Sequence, residues 1–203
     1  NESNWKKHIS YLASDELQGR LTGSEGETKA ANYLSAEFKK LGLKPYEGKD
    51  FIQNFEYGVK LNPHDDKTST PVKGKNVIAV LDNKADKTIV IGAHYDHLGL
   101  NEHHNSTLAN SAGQIHNGAD DNASGTAAVL ELARMFSQNK TKENANYVFA
   151  LFSGEEDGLM GSKKLAETIK TTYPNTVFMI NMDMVGRLND KKDLTVGGVG
   201  TSP

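Results

Sequence analysis

Four short stretches of the sequence combine imidazole and carboxylate side chains, which are groups that bind metal ions. They are the stretches at residues 94–97 (HYDH), 118–122 (GADDN), 154–157 (GEED) and 181–183 (NMD). The chain has no cysteine, so a metal site here must use nitrogen and oxygen ligands. One imidazole with several carboxylates favours zinc over manganese or cobalt, and calcium rarely takes a histidine ligand. The sequence therefore predicts a zinc site built from these stretches.

The same residue types suit hydrolysis by two metal ions. An aspartate such as Asp120 can bridge two cations, and cations about 3.5–4 Å apart can hold a hydroxide and stabilise an oxyanion at a carbonyl. In the adjacent pair Glu155 and Glu156, one carboxylate can bind metal while the other takes a proton from the attacking water. Asp96 lies two residues after His94 and can accept the other imidazole N–H.

The elements that end at these stretches would bring them together. Apolar runs at residues 89–91, 148–152 and 177–182 are predicted strands, the last two of them buried, and candidate ligands lie just past their ends. The acidic pair of the GADDN stretch precedes a strong helical pattern over residues 126–138. In open α/β sheets, ligands bind beyond the carboxyl ends of the strands. We therefore expect these groups to converge at one edge of one sheet.

The rest of the pattern predicts a three-layer α/β/α fold with a mixed, mostly parallel central sheet. Ser24 and Glu27 predict a capping box at the start of a helix that ends near Leu41. The other predicted elements are helices over 4–13 and 161–172, a strand over 51–60, loops over 62–73 and 99–117, and strands over 76–81 and 88–92. The charged link between the last two strands predicts a hairpin or neighbouring strands.

Each stretch taken alone also has an ordinary structural explanation. The GADDN stretch could be a turn with a helix N-cap, and the GEED stretch could be a solvated acidic turn. Asp183 ends an apolar run, where burial of an unpaired charge would be costly. His97 adjoins the predicted site and could support a ligand, whereas His103 and His104 are expected to be exposed. Four such stretches at the ends of elements favour a site over coincidence.

The length and net charge of the chain limit the number of domains and the kinds of partner that it can have. A chain of 203 residues suits one domain, and a formal net charge of -3 gives no basic surface for nucleic acid. No apolar run approaches the roughly 20 residues of a membrane-spanning helix. The sequence starts at Asn1 without a signal-like segment, which suggests a trimmed or processed chain. Sequons at Asn105, Asn122 and Asn139 are interpreted as coincidental, because a glycan on Asn122 would obstruct the predicted metal loop, and this favours a bacterial source.

These residues resemble peptidase family M28, the co-catalytic zinc aminopeptidases. The resemblance rests on residues 17–24, 31–43, 92–99, 117–125, 152–162 and 181–187. It implies that His94 and Asp183 bind one zinc, that Asp120 bridges both zinc ions, and that Glu156 binds the second. It also implies a cis peptide bond between Asp120 and Asp121.

The resemblance further implies how peptide substrates would be hydrolysed. A zinc-bound hydroxide is the implied nucleophile, Glu155 the general base, and Asp96 the group that orients His94. The implied activity is removal of N-terminal residues from peptides. We also expect an extracytoplasmic location, which could be periplasmic, surface-anchored or secreted.

One departure from the family pattern concerns the second zinc. The family supplies a further histidine far downstream, but no histidine follows His116 in this sequence. We therefore interpret residues 1–203 as a single M28-like catalytic domain that is incomplete at its C-terminus. One zinc is expected to bind firmly and the second weakly or not at all, with little peptidase activity for this chain alone.

Two alternative functions stay open at this point. One is a single-zinc, glutaminyl cyclase-like acyltransferase, and the other is a non-catalytic, peptidase-like binding domain. The adjacent pair Glu155 and Glu156 favours hydrolysis over both. The sequence leaves the preferred N-terminal residue and the oligomeric state unspecified.

Overall fold

The computed structural model describes residues 2–60, 69–193 and 195–198. Within these residues, the helices are α1 Glu2–Leu12, α2 Glu25–Lys40, α3 Gly125–Gln138 and α4 Met160–Thr172, with a shorter helical turn at Asp15–Arg20. The strands are β1 Lys44–Pro45, β2 Ile52–Val59, β3 Thr70–Leu81, β4 Thr88–His94, β5 Asn146–Phe152 and β6 Thr176–Asn181. Across the described ranges, no helix is long and apolar enough to span a membrane.

The strands form one mixed sheet in the order β1-β3-β5-β4-β6, and β2 pairs with β3. Strand β4 runs parallel to both β5 and β6, whereas the pairings of β3 with β1, β2 and β5 are antiparallel. The predicted mixed sheet is confirmed, although its antiparallel part is larger than expected. The hairpin or neighbouring pair predicted for β3 and β4 is wrong, because β5 inserts between them and pairs with both.

Two apolar clusters on opposite faces of the sheet confirm the three-layer architecture. Successive strand residues point to opposite faces, so Phe149 and Leu151 join one cluster while Val148 and Ala150 join the other. Helices α1, α2 and α3 cover the first face, and α4 covers the second with Leu165. Because both faces of β4 and β5 are covered, these strands are continuous apolar runs instead of alternating ones. Strand β6 lies at the edge of the sheet with most of its apolar residues exposed, so the prediction of a buried strand over residues 177–182 is wrong.

The predictions of a capping box at the start of α2 and of a loop before β3 are confirmed only in part. The Ser24 side chain accepts a hydrogen bond from the Glu27 amide at 3.1 Å, as a helix N-cap does. The Glu27 carboxylate bonds to the Gly23 amide at 3.1 Å, which is one residue earlier than a capping box requires. Of the loop predicted over residues 62–73, residues 62–68 lie outside the described part of the chain. Residues 70–73 belong to β3, which pairs there with β2.

The parallel strands β4, β5 and β6 end at the same edge of the sheet. Beyond the last β6 residue, the Met182 amide donates to the Gly92 carbonyl of β4 at 2.8 Å. Beyond the end of β4, the Tyr95 amide donates to the Phe152 carbonyl of β5 at 2.8 Å. These bonds hold the three segments that follow the strands beside one another.

Candidate metal centre

Imidazole and carboxylate groups from all four stretches meet at this edge. Within the described residues, three groups have side-chain donor atoms close enough to share an ion: His94 with Asp121 and Asp183, His94 with Glu155 and Glu156, and His97 with Asp121 and Glu156. Four of these residues (His94, Glu155, Glu156 and Asp183) were predicted at the site from sequence.

Asp121, and not Asp120, is the aspartate that reaches the cluster. The Asp121 Oδ1 atom lies 3.3 Å from His94 Nε2, whereas Asp120 Oδ1 accepts a hydrogen bond from the Gly186 amide at 3.0 Å. The prediction that Asp120 bridges two cations therefore does not fit the geometry. The cis peptide bond also lies one position later than expected, between Asp121 and Asn122.

The turn over residues 118–124 decides which aspartate faces the site. Gly118 has φ of 57°, and a Cβ atom there would collide with the Asp121 carbonyl and the His97 ring. Asn122 is fully buried, and its Nδ2 donates to the Met182 carbonyl at 2.9 Å while its Oδ1 accepts from the Gly125 amide at 2.9 Å. Asn122 thus ties this turn to the end of β6 and the start of α3. A glycan on Asn122 is incompatible with this burial.

The donors around His94 have the spacing of atoms that share a cation. His94 Nε2 lies 3.3 Å from Asp121 Oδ1 and 3.4 Å from Asp183 Oδ1. Two donors bound to one tetrahedral zinc, each about 2.0–2.2 Å from it, lie about 3.3–3.6 Å apart. We call these three residues the first cluster. Its donor types and its spacing both fit zinc.

Acidic neighbours change the protonation of His94, whose side chain is only 2% exposed. Burial lowers the pKa of His94, but the contacts with Asp121, Asp183 and Asp96 raise it by more. The net effect is to raise the pKa of His94 from its ordinary value to about 12. The contact with His94 in turn lowers the pKa of Asp121. A cation that binds here must displace the imidazole proton, so cation binding would release a proton.

Asp96 contacts both His94 and the acidic turn. The His94 Nδ1 atom lies 3.2 Å from the Asp96 backbone carbonyl and 3.6 Å from its carboxylate. The two carboxylate oxygens accept the Glu155 and Glu156 amides at 3.3 and 3.4 Å. The predicted orienting role thus rests as much on the Asp96 carbonyl as on its side chain, and the carboxylate also holds the turn after β5.

The two adjacent glutamates occupy different environments. Glu155 Oε2 lies 3.9 Å from His94 Nε2. Burial raises the pKa of Glu155 above its ordinary value; His94 opposes this shift, while Asp96, Glu156 and Asp183 add to it. Glu156 instead points to His97, with Glu156 Oε1 only 2.6 Å from His97 Nδ1.

The contact between His97 and Glu156 is a hydrogen bond and not a pair of ligands on one ion. A separation of 2.6 Å is shorter than the roughly 3.3–3.6 Å expected for two donors on one zinc. In this contact a protonated ring nitrogen of His97 donates and the carboxylate oxygen of Glu156 accepts. Asp121 Oδ2 lies 3.9 Å from the same nitrogen, and we call His97, Asp121 and Glu156 the second cluster. The proximity of His97 in sequence to His94 was the available signal for this role.

The prediction that His103 is exposed to solvent is wrong, whereas His104 is exposed as expected. His103 Nδ1 lies 2.9 Å from Asp157 Oδ1, and the Tyr57 hydroxyl donates to the other carboxylate oxygen at 2.6 Å. Burial raises the pKa of Asp157, but these hydrogen bonds lower it by more. No pattern around His103 in the sequence indicates a partner more than fifty residues away.

Comparison with protein families identifies relatives of this chain. Residues 76–203 match the model of "Peptidase family M28". A "Probable zinc metalloprotease" of Pyrenophora tritici-repentis is 33% identical over 187 residues, which cover 91% of this chain and 41% of the relative. The "Alkaline phosphatase isozyme conversion protein" of Escherichia coli is 32% identical and covers 81% and 46% respectively. The chain thus spans less than half the length of these curated relatives.

Solved structures share the fold at lower sequence identity. A leucine aminopeptidase precursor from Bacteroides thetaiotaomicron has a TM-score of 0.68 at 20% identity, covering 92% of this chain and 63% of that one. A glutaminyl cyclase from the same species has a TM-score of 0.71 at 20% identity, covering 92% and 62%. At this level of identity, the likeness concerns the fold alone.

Proposed function

Because the chain belongs to peptidase family M28, we propose that the protein it comes from is a zinc-dependent aminopeptidase. The observation that carries this proposal is the first cluster. Its three donors come from separate parts of the chain and lie at the spacing of ligands on one zinc ion. Bound zinc would polarise the carbonyl of the scissile bond and lower the pKa of a water molecule.

The two clusters divide the proposed ligands between two cations. His94 and Asp183 serve the first cation, and Glu156 serves the second. Asp121 belongs to both clusters, with one carboxylate oxygen toward His94 and the other toward His97. A carboxylate in this position can bridge two ions. His97 orients Glu156 through their hydrogen bond, which is the usual support for a ligating carboxylate.

Glu155 is the proposed general base. It lies beside the first cluster, and its raised pKa brings it closer to the pH at which it must exchange a proton. In hydrolysis, Glu155 would take a proton from water as the water oxygen bonds to the carbonyl carbon. It would then give the proton to the nitrogen as the C–N bond breaks, so the carboxylate is restored. A protonated α-amino group would be attracted by the carboxylates of the surrounding site.

The test uses the zinc-loaded, full-length protein with unblocked and N-acetylated leucyl peptides. Glu155→Gln should lower the turnover of the unblocked peptide by about 10²–10⁴-fold, because the proton acceptor is lost. Zinc binding should remain, since the proposed ligands are intact. Glu167→Gln on the exposed face of α4 is the matched control and should keep full activity.

Two results would overturn the proposal. Retained turnover in Glu155→Gln would remove Glu155 from the role of base, and equal cleavage of acetylated peptides would exclude an aminopeptidase. A glutaminyl peptide belongs in the same assay. Cyclisation of that peptide without hydrolysis of the leucyl peptide would identify the cyclase alternative instead.

A further inference from the structure

A second set of polar contacts, partly buried and with Asn105 at the surface, lies directly beside Glu156. It consists of Tyr57, His103, Asn105 and Asp157, which we call the anchor cluster. The Asp157 carboxylate accepts from the Tyr57 hydroxyl at 2.6 Å and from Asn105 Nδ2 at 3.2 Å, and His103 Nδ1 lies 2.9 Å from it. None of these residues belongs to the three groups that could hold a metal ion within the described chain.

The anchor cluster joins three segments that are distant in sequence. Tyr57 belongs to β2, His103 and Asn105 to the irregular segment over residues 99–117, and Asp157 to the turn after β5. The Asp157 side chain is only 5% exposed. A carboxylate that is removed from water needs strong hydrogen bonds, and those to an ionised acceptor are about twice as strong as neutral ones. These contacts therefore hold the irregular segment firmly against the turn.

The same segment also holds the backbone of Glu156. Asn105 Nδ2 donates to the Glu156 carbonyl at 3.0 Å, while the Glu156 amide donates to Asp96 at 3.4 Å. The Glu156 side chain is bonded to His97 at 2.6 Å. Glu156 is thus fixed at its amide, its carbonyl and one carboxylate oxygen. Displacement of the 99–117 segment would release the carbonyl contact and the neighbouring Asp157.

We propose that His103 is a positioning residue for the second cation. Through Asp157, it fastens the 99–117 segment to the turn that carries Glu156, so the docking of this segment sets the affinity of the second cluster. The inference rests on the proposed function, because it requires Glu156 to bind a cation. Among the described residues, no hydrogen bond or ion pair joins the anchor cluster to His94, Asp121 or Asp183, so we expect the first cluster not to depend on it.

Zinc titration of the 203-residue chain by calorimetry tests this proposal. His103→Leu removes the ring nitrogen and should weaken the second cation about tenfold, as loss of an outer-sphere partner does, with the first cation unchanged. His103→Asn places an amide N–H near the position of Nδ1 and should restore most of the affinity. His104→Leu is the matched control, because His104 is the exposed neighbour.

A Glu156→Gln background separates positioning from a general loss of stability. In that background, His103→Leu should cause no further loss of zinc affinity, because the two changes act through one contact. Equal weakening of both cations, or a fall in melting temperature with no change in zinc affinity, would overturn the inference. If wild-type protein bound no zinc at all, the proposed function would fail and the inference with it. If zinc affinity were unchanged in His103→Leu, the inference would be wrong while the proposed function would stand.

Discussion

The first and second clusters differ in how their donor atoms relate to one another. In the first cluster, His94 Nε2 lies 3.3 and 3.4 Å from its two carboxylate partners, which leaves the spacing that a shared cation requires. In the second cluster, His97 and Glu156 lie 2.6 Å apart and satisfy each other by a hydrogen bond. The donor spacing of the first cluster therefore suits a shared cation, whereas in the second cluster His97 and Glu156 are already joined by a hydrogen bond.

The origin of the donors explains this difference. His94 ends β4, and Asp183 follows β6, which pairs with β4. Glu156 lies in a turn whose position depends on Asp96, Asn105 and other side chains of loops. The second cluster also has fewer free donors, because His97 is hydrogen-bonded to Glu156, which leaves Asp121 and Glu156 for a cation. We therefore expect the first cation to bind more tightly than the second.

Asp121 is common to both clusters, so Asp121→Asn should have the largest effect. Removal of an outer-sphere partner already costs about 10–100-fold in metal affinity, and loss of a shared ligand should cost about 100-fold or more for both cations. Zinc calorimetry measures this directly. Asp120→Asn is the matched control and should change neither affinity by more than about threefold. If Asp120→Asn lowered zinc affinity more than Asp121→Asn, Asp120 would be the bridging ligand instead.

Asp183→Asn should separate the clusters, because Asp183 belongs only to the first. The affinity of the first cation should fall by about 100-fold, while the second cation keeps its affinity within about threefold. The exposed Asp190→Asn serves as the control in the same titration. An equal loss of affinity for both cations would show that Asp183 is not confined to the first cluster.

The smallest effect is expected for His97→Leu. If His97 only orients Glu156, the second cation should bind about tenfold more weakly, and the first should be unaffected. His97→Asn keeps an N–H near the position of Nδ1 and should restore most of the affinity. A loss of about 100-fold or more in His97→Leu would instead identify His97 as a direct ligand.

Much of the fold followed from patterns within single elements. Two elements form close to where the sequence predicts them. They are the helix over residues 25–40, which has an apolar stripe at helical spacing, and the buried strand over residues 146–152, which is a continuous apolar run. The placement of β5 between β3 and β4 was missed, because strand order depends on contacts between segments that lie far apart in sequence. The assignment of residues 1–203 to one catalytic domain stays a prediction.

Within the site, the errors fall on irregular backbone. Asp120 and Asp121 are adjacent and chemically identical, so composition and spacing cannot tell which one faces His94. The turn after Gly118 and the buried Asn122 make that choice through contacts with His97 and Met182. The partner of His103 was missed for the same reason.

Residue types and apolar patterns alone specify the chemistry that is available: nitrogen and oxygen donors, an adjacent pair of glutamates, and strand ends that bring them to one edge. These features are local, because residue type and apolar period are properties of short segments. The packing of distant segments, in contrast, places Asp121 beside His94, Glu156 beside His97 and Asp157 beside His103. Differences of less than 1 Å between a hydrogen bond and a shared ion depend on how distant segments pack together.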